Sequence, residues 1–363
     1  MKTYLKKYVS NTLASTQNQL YFKSNGDTQI SRVYIKPFCT GIYEYSFLFE
    51  DAIDSTFSDG SISLANETSG KWTIHKAKAM IFDRGDDWKL LNCASEHLPK
   101  KEVILTFNNR QEKSVSSGES FYTDPIILSI GKDEDLCIEV KFSGEKIPYF
   151  EEIIIPTYKY ENGSWIDDKR VISPSMVGIN RTVEKKIGFL GDSITEGIGT
   201  DKNSYEHWNS KIANLVGNKY SYWNLGIGFA RANDAASDGN WLRKAKEMDV
   251  VTICLGVNDM GRGYTAEQIQ ENLKKIVATL QDNNVRTVLF TVPPFDYNEE
   301  NNIKWRKVNT YIMNELSKIT EVYDVVKIWG QDAPNEHMAR YGGHPNAEGC
   351  MQLALDFVKK IDL

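Results

Sequence analysis

Four short blocks carry residue types that could perform nucleophilic chemistry. Gly191-Asp192-Ser193 directly follows the apolar run Ile187 to Leu190, so Ser193 falls at the carboxyl end of a buried strand, where open α/β sheets bind their ligands. Asn224-Leu225-Gly226-Ile227-Gly228 follows a second run, and Gly256-Val257-Asn258-Asp259 follows a third. His344-Pro345-Asn346 precedes the last helical pattern, with Pro345 suited to the first helical position. Each block also has a plain structural reading. Ser193 and Glu196 fit the S-x-x-E capping box. Two glycines after a strand make a tight turn, and position 231, where a dinucleotide fingerprint wants a third glycine, holds Arg231. Asn258 and Asp259 could bond to their own loop backbone, and a lone loop histidine is ordinarily structural.

Taken together the four converge, because each lies just past a strand or just before a helix and so faces one edge of a sheet. In that arrangement Ser193 is a nucleophile and His344 the base that takes its proton. The backbone N–H groups of Ser193 and Gly228, with the Asn258 amide, form an oxyanion hole of the kind that stabilises charge developing on a carbonyl oxygen. The segment around Ser193 does not match the G-x-S-x-G elbow of α/β-hydrolases.

The elements that must position these residues differ between the two halves of the chain. From about residue 30 to 160 the pattern alternates. Tyr43, Tyr45, Phe47 and Phe49 oppose Ile42, Glu44 and Ser46, and Leu136, Ile138, Val140 and Phe142 oppose Cys137, Glu139 and Lys141. Further strands are expected over Trp72 to Phe82, Glu102 to Phe107 and Pro125 to Ile130, with turns at Ser58-Asp59-Gly60, Asn108-Asn109 and Ser116-Ser117-Gly118. Such short strands predict an antiparallel β-sandwich of jelly-roll kind. From about residue 186, apolar runs alternate with amphipathic helices. The runs are Ile187 to Leu190, Tyr220 to Leu225, Val250 to Leu255, Val285 to Val292 and Val322 to Val326. Thr265 and Gln268 form a capping box ahead of the stripe Ile269, Leu273, Ile276 and Leu280, and the last helix is expected to bury Met351, Ala354, Val358 and Ile361. This alternation predicts a parallel sheet with helices on both faces. The polar stretch Glu161 to Lys185 is expected to be irregular and to hold the boundary, giving a sandwich domain with linker over 1–180 and an α/β domain over 181–363.

Composition narrows the class of function. The chain has 363 residues, 41% hydrophobic and 25% charged, with net charge -6. Scattered Lys and Arg under that balance argue against a nucleic-acid binder. No apolar run approaches the roughly 20 residues of a membrane span. Met1 to Asn18 lacks the apolar core of about 7–15 residues that a signal peptide needs. Five widely spaced cysteines (Cys39, Cys93, Cys137, Cys254 and Cys350) include no CxxC pair, which fits a reducing cytoplasm. His75, His97, His207 and His337 lack metal-site spacing, so no metal is expected. Trp208, Trp223, Trp241, Trp305 and Trp329 are expected in the core or lining a cleft; Trp329, near the histidine loop, is also a candidate ring for stacking on a sugar.

Gly191-Asp192-Ser193-Ile194-Thr195 resembles the first block of the SGNH, or GDSL, hydrolase superfamily. Gly228, Asn258 within Gly-Val-Asn-Asp and His344 within His-Pro-Asn are similar to its other three blocks, in order. The resemblance covers residues 186 to 363. It implies a three-layer α/β/α, flavodoxin-like domain and a serine ester hydrolase that works without metal or organic cofactor. A sandwich ahead of such a domain is similar to carbohydrate esterase family two, which implies a small acyl ester substrate, an O-acetylated saccharide first of all. Lysophospholipase or acyl-thioesterase activity is the alternative within the superfamily, and a non-catalytic carbohydrate-binding protein the alternative outside it. The family's usual aspartate three residues before the histidine is here Tyr341. The group that orients His344 is then either a carboxylate, from Glu336 or Asp332, or a backbone carbonyl, and the carbonyl is preferred because nothing in the spacing forces either acid inward.

Overall fold

Period-two alternation in the first half builds two large antiparallel sheets, beside short two-stranded ones. The computed structural model describes residues 1–53, 56–58, 61–63, 68–84, 98–149 and 154–363; the expected turn at Asp59-Gly60, and Cys93 and His97, lie outside them. One sheet runs in the order Val9–Ser10, Met176–Ile179, Gly41–Glu50 and Ser120–Tyr122, with Ile126–Ile130 also on Gly41–Glu50. The other runs Ser164–Asp167, Thr157–Glu161, Gln29–Ile35, Glu134–Gly144, Trp72–Asp83 and Lys101–Leu105, with Lys113–Val115 also on Trp72–Asp83. Leu136, Ile138, Val140 and Phe142 are buried, as their alternation predicts. The rings of Trp72 and Phe121, one from each sheet, meet at 6.1 Å across the core. The opposite face of Gly41–Glu50 starts in solvent, with Ile42 73% exposed.

The stretch from Glu161 to Lys185 is not irregular. It holds Ser164–Asp167 and Met176–Ile179, both paired into the sandwich. Glu161 pairs with Ser164 around a two-residue loop, Asn162-Gly163, whose φ values are +50° and +84°. Asn-Gly is the dipeptide that such a left-handed two-residue hairpin turn favours. Polarity at a sheet edge hides a strand, because one face of an edge hairpin stays wet.

The chain divides into two compact units, Met1–Ile53 with Glu67–Thr182, and Asp54–Asn66 with Val183–Leu363. In the second, five parallel strands run in the order Ser221–Gly226, Lys186–Gly191, Val250–Cys254, Arg286–Phe290 and Glu321–Tyr323. Val250–Cys254 and Ser221–Gly226 are buried along their whole length, the signature of strands covered on both faces. Chain order reverses between Lys186–Gly191 and its two neighbours. This is the switch point at which open sheets open a crevice at the carboxyl ends of their strands. The Thr265–Gln268 capping box forms at the head of Ala266–Gln281, which buries Ile269, Leu273, Ile276 and Leu280.

Three local expectations shift. The last strand ends at Tyr323, and Val326 opens the short helix Val326–Trp329. Pro345 lies one residue ahead of the N-cap, Asn346, of Ala347–Lys360. That helix buries Cys350, Leu353, Ala354 and Phe357 rather than Met351 and Val358. The two stripes are neighbouring lines on one cylinder, and Phe357, the larger anchor, decides between them.

Candidate active site

Ser193 is the first residue of the helix Ser193–Glu196, and the cap belongs to its neighbour. The Asp192 carboxylate accepts the Ile194 N–H at 3.0 Å. The capping-box reading of Ser193 is therefore replaced, and its hydroxyl is left for other partners. Gly191 makes the tight strand-to-helix passage possible, since a Cβ there would lie 2.0 Å from Thr195 Oγ1 and 2.7 Å from the Cys254 carbonyl oxygen. Ser193 Oγ lies 2.9 Å from His344 Nε2 across 151 residues of sequence.

The imidazole is fixed by backbone. Its Nδ1 lies 3.0 Å from the Tyr341 carbonyl oxygen. A carbonyl can only accept, so Nδ1 carries the proton and Nε2 is left to accept from Ser193. Tyr341–Gly343 is a single tight turn, with Gly342 at φ +68° and Gly343 at φ +108°. A Cβ on Gly343 would lie 2.8 Å from Pro334 Cγ and 3.0 Å from the Pro294 carbonyl oxygen. The Phe295 ring meets the imidazole edge-on at 5.1 Å, and the exposed Tyr341 ring lies 5.0 Å away, tilted. His344 is 8% exposed. Burial pushes its pKa below the ordinary histidine value, with the Tyr341 carbonyl pulling weakly the other way.

Neither acid considered for the orienting role takes it. Asp332 is exposed and pairs with Arg306 at 3.1 Å, and Glu336 is also exposed. Both instead line a cavity of about 400 Å³ beside the histidine loop, together with Phe295, Asp296, Arg340 and Gly343. Trp329 is buried and donates its indole N–H to the Gly349 carbonyl at 2.9 Å. It is a packing residue, with no ring face free for a sugar.

The other two blocks are joined to this core by hydrogen bonds. Ile227 N–H donates to the Gly191 carbonyl at 3.0 Å, which ties the Gly228 turn to the strand that delivers Ser193. Gly228 is buried, and Phe229 after it adopts φ +60°. Asn258 is the second residue of the helix Val257–Gly261, and its Nδ2 donates to the Ala230 carbonyl at 2.9 Å. One of its two amide protons remains for a ligand.

Two buried carboxylates here were not singled out from sequence. Asp259 is wholly buried and accepts the N–H groups of Ala232 at 2.9 Å and Asn233 at 3.4 Å. Burial pushes its pKa up to about 6. Asp192 is raised further, to about 7, by burial first and by the nearby Asp259 charge. Arg231 and Asp234, both 2% exposed, form an ion pair that also caps the helix Ala232–Ala236. The available signals were the aspartates inside Gly-Asp-Ser and Asn-Asp, and Arg231 three residues before Asp234, the capping-box spacing.

Among the comparisons with known proteins, the family match falls inside the second unit. Residues 189–351 match the GDSL-like Lipase/Acylhydrolase family. Among curated proteins, one of Mycoplasma pneumoniae, described as uncharacterized, is 23% identical over 224 residues; the match takes in 56% of this chain and 24% of that protein, so this chain spans about a quarter of the length of the curated relative it matches. Solved structures similar to this chain include the following three. A member of the lipolytic protein G-D-S-L family from Veillonella parvula is 15% identical with TM-score 0.41, covering 48% of this chain and 97% of that one. The psychrotrophic esterase EstA from Pseudoalteromonas is 22% identical with TM-score 0.39, covering 48% and 97%. A catalytic mutant of Axe2, an acetylxylan esterase from Geobacillus stearothermophilus, is 19% identical with TM-score 0.40, covering 50% and 96%.

Proposed function

We propose that this chain, whose residues 189–351 match the GDSL-like lipase/acylhydrolase family, is a serine esterase that removes small acyl groups, O-acetyl on carbohydrate foremost. The observation that carries the reading is the 2.9 Å contact between Ser193 Oγ and His344 Nε2, with Nδ1 engaged by a group that only accepts. Nε2 takes the hydroxyl proton as Oγ attacks the ester carbonyl, and the N–H groups of Ser193 and Gly228 and the Asn258 amide receive the oxyanion. His344 returns the proton to the leaving alcohol, which departs and leaves acyl-Ser193. Water, deprotonated by the same nitrogen, then releases the carboxylic acid and restores the serine. No step calls for a metal or an organic cofactor.

Two features support a hydroxylated alcohol over a lipid. The cavity beside the histidine loop is lined by Asp296, Asp332, Glu336 and Arg340, a lining suited to hydroxyl groups and costly to cover with an acyl chain. The sandwich ahead of the hydrolase domain is the arrangement that resembles carbohydrate esterase family two. A cytoplasmic setting, which the free buried Cys39, Cys137, Cys254 and Cys350 fit, favours short acetylated saccharides over polymers. No helix among the described residues is long and apolar enough to cross a membrane.

The test is a fluorophosphonate label together with acetate release from acetylated sugars. Wild type should label once, at Ser193. Ser193→Ala should neither label nor hydrolyse, a loss of at least about 10⁴-fold, while its melting temperature stays near that of wild type. A folded Ser193→Ala protein that keeps most of its activity sinks the assignment. Preference for p-nitrophenyl octanoate over the acetate would move the substrate to the lysophospholipase or thioesterase class.

A further inference from the structure

The Gly228 turn holds an unfavourable backbone, and something must keep it there. Phe229 sits at φ +60°, a conformation that bulky side chains rarely adopt and that persists only where the surroundings over-determine it. The turn's own bond, Ala230 N–H to the Ile227 carbonyl at 3.2 Å, is long. Two further side chains hold it, both from the loop after Val250–Cys254, which lies two strands away in the sheet. Asn258 Nδ2 donates to the Ala230 carbonyl at 2.9 Å. The fully buried Asp259 carboxylate accepts the Ala232 N–H on Oδ2 at 2.9 Å and, more weakly, the Asn233 N–H on Oδ1 at 3.4 Å.

We propose that Asp259 is a positioning residue for the oxyanion hole, a buried carboxylate that clamps the Gly228–Asn233 segment to the loop carrying Asn258. The clamp sets the Gly228 N–H and the Asn258 amide at one fixed separation, so that both can meet a single oxygen. It rests on the esterase reading above. Asp259 touches no reacting atom; it acts through the direction of two donors. Preorganised donors count in the transition state, where the negative charge is, and little in the bound ester. A loosened clamp therefore lowers kcat and leaves KM near its original value. A residue that merely supported the fold would lower the melting temperature without that split.

Asp259→Asn keeps the shape but turns one accepting oxygen into a donor that faces a backbone N–H. In the full chain, assayed on p-nitrophenyl acetate, it should lower kcat at least about tenfold with KM changed less than about threefold. Its effect should be less than multiplicative with that of Asn258→Ala, because both act on the same oxyanion. A second variant reaches the same bond from the other side. Ala232→Pro deletes the donor, and the site accepts proline: Ala232 is the first helical residue, and Arg231 before it is extended at φ -115°, ψ 157°. It should reproduce the kcat loss, and it decides the matter if Asp259→Asn does not fold. Retention of kcat within about twofold in folded variants, or fully multiplicative losses with Asn258→Ala, overturns the proposal. A wild-type chain that neither labels with fluorophosphonate nor hydrolyses any ester would instead sink the esterase reading, and this proposal with it.

Discussion

The loop that carries His344 and the loop that carries Asn258 are shaped by different means. Around His344 the shaping is done by backbone: a Gly342-Gly343 turn swings the Tyr341 carbonyl onto Nδ1. Around Asn258 it is done by side chains, with the Asn258 amide on Ala230 and the Asp259 carboxylate on Ala232 and Asn233. A carbonyl fixes the tautomer and stays neutral at every pH, but it gives the imidazolium no full opposing charge. A carboxylate binds backbone N–H groups more strongly, and its cost is a charge held in a dry place, visible in the raised pKa of Asp259. The proposed base is thus held cheaply and the proposed oxyanion donors firmly, which suits the proposed reaction, whose largest charge change falls on the substrate oxygen.

The largest effect on this comparison should come from the donor itself. On the esterase reading, Asn258→Ala removes one amide from the oxyanion; it also frees the Ala230 carbonyl. We expect kcat to fall about 10²–10³-fold with a smaller change in KM. Equal losses in kcat/KM through KM alone would show that the amide binds the ground state, and the contrast between the loops would dissolve.

On the base side the corresponding break is Gly343→Ala. The backbone there, at φ +108°, is strained for any residue with a Cβ, and the added atom would lie 2.8 Å from Pro334 Cγ. Relief requires the turn to open, which carries the Tyr341 carbonyl away from Nδ1. The strain is on the order of 1–3 kcal/mol, and we expect a kcat loss of about tenfold, measured well below the variant's own melting temperature. Unchanged kcat would mean that the carbonyl is not what orients the imidazole.

This contrast was half legible in the sequence. Ser193, Gly228, Asn258 and His344 could be picked out because their types and their places, just past a strand or just before a helix, both speak. Their holders were harder to see. Asp192 took the cap that Ser193 seemed to fill, since either residue suits an N-cap and only geometry chooses. Gly342-Gly343 reads as generic punctuation until φ is known, yet it is what makes an aspartate at Tyr341 unnecessary for the tautomer. The strands at Ser164–Asp167 and Met176–Ile179 were lost for another reason. One lies at a wet sheet edge, and the other, Met-Val-Gly-Ile, is too short to show alternation.

The smallest effects should come from Asp332 and Glu336, the two acids upstream of His344 in its own loop region. If the carbonyl is the orienter, Asp332→Asn and Glu336→Gln should each keep kcat on p-nitrophenyl acetate within about threefold. A triad aspartate replaced by asparagine costs about 10⁴-fold, so the two outcomes cannot be confused. The pH profile gives a second reading. As the proposed base, His344 must be neutral to accept the serine proton, so activity should fall as pH drops through its pKa. Burial lowers that pKa, which places the fall below the ordinary histidine value of about 6.5. A carboxylate partner would stabilise the imidazolium and move the fall to higher pH. Removing Asp332 or Glu336 should therefore leave the inflection where it is. A downward shift in either variant, alongside a large loss of kcat, would show that the removed acid had been holding the imidazole after all.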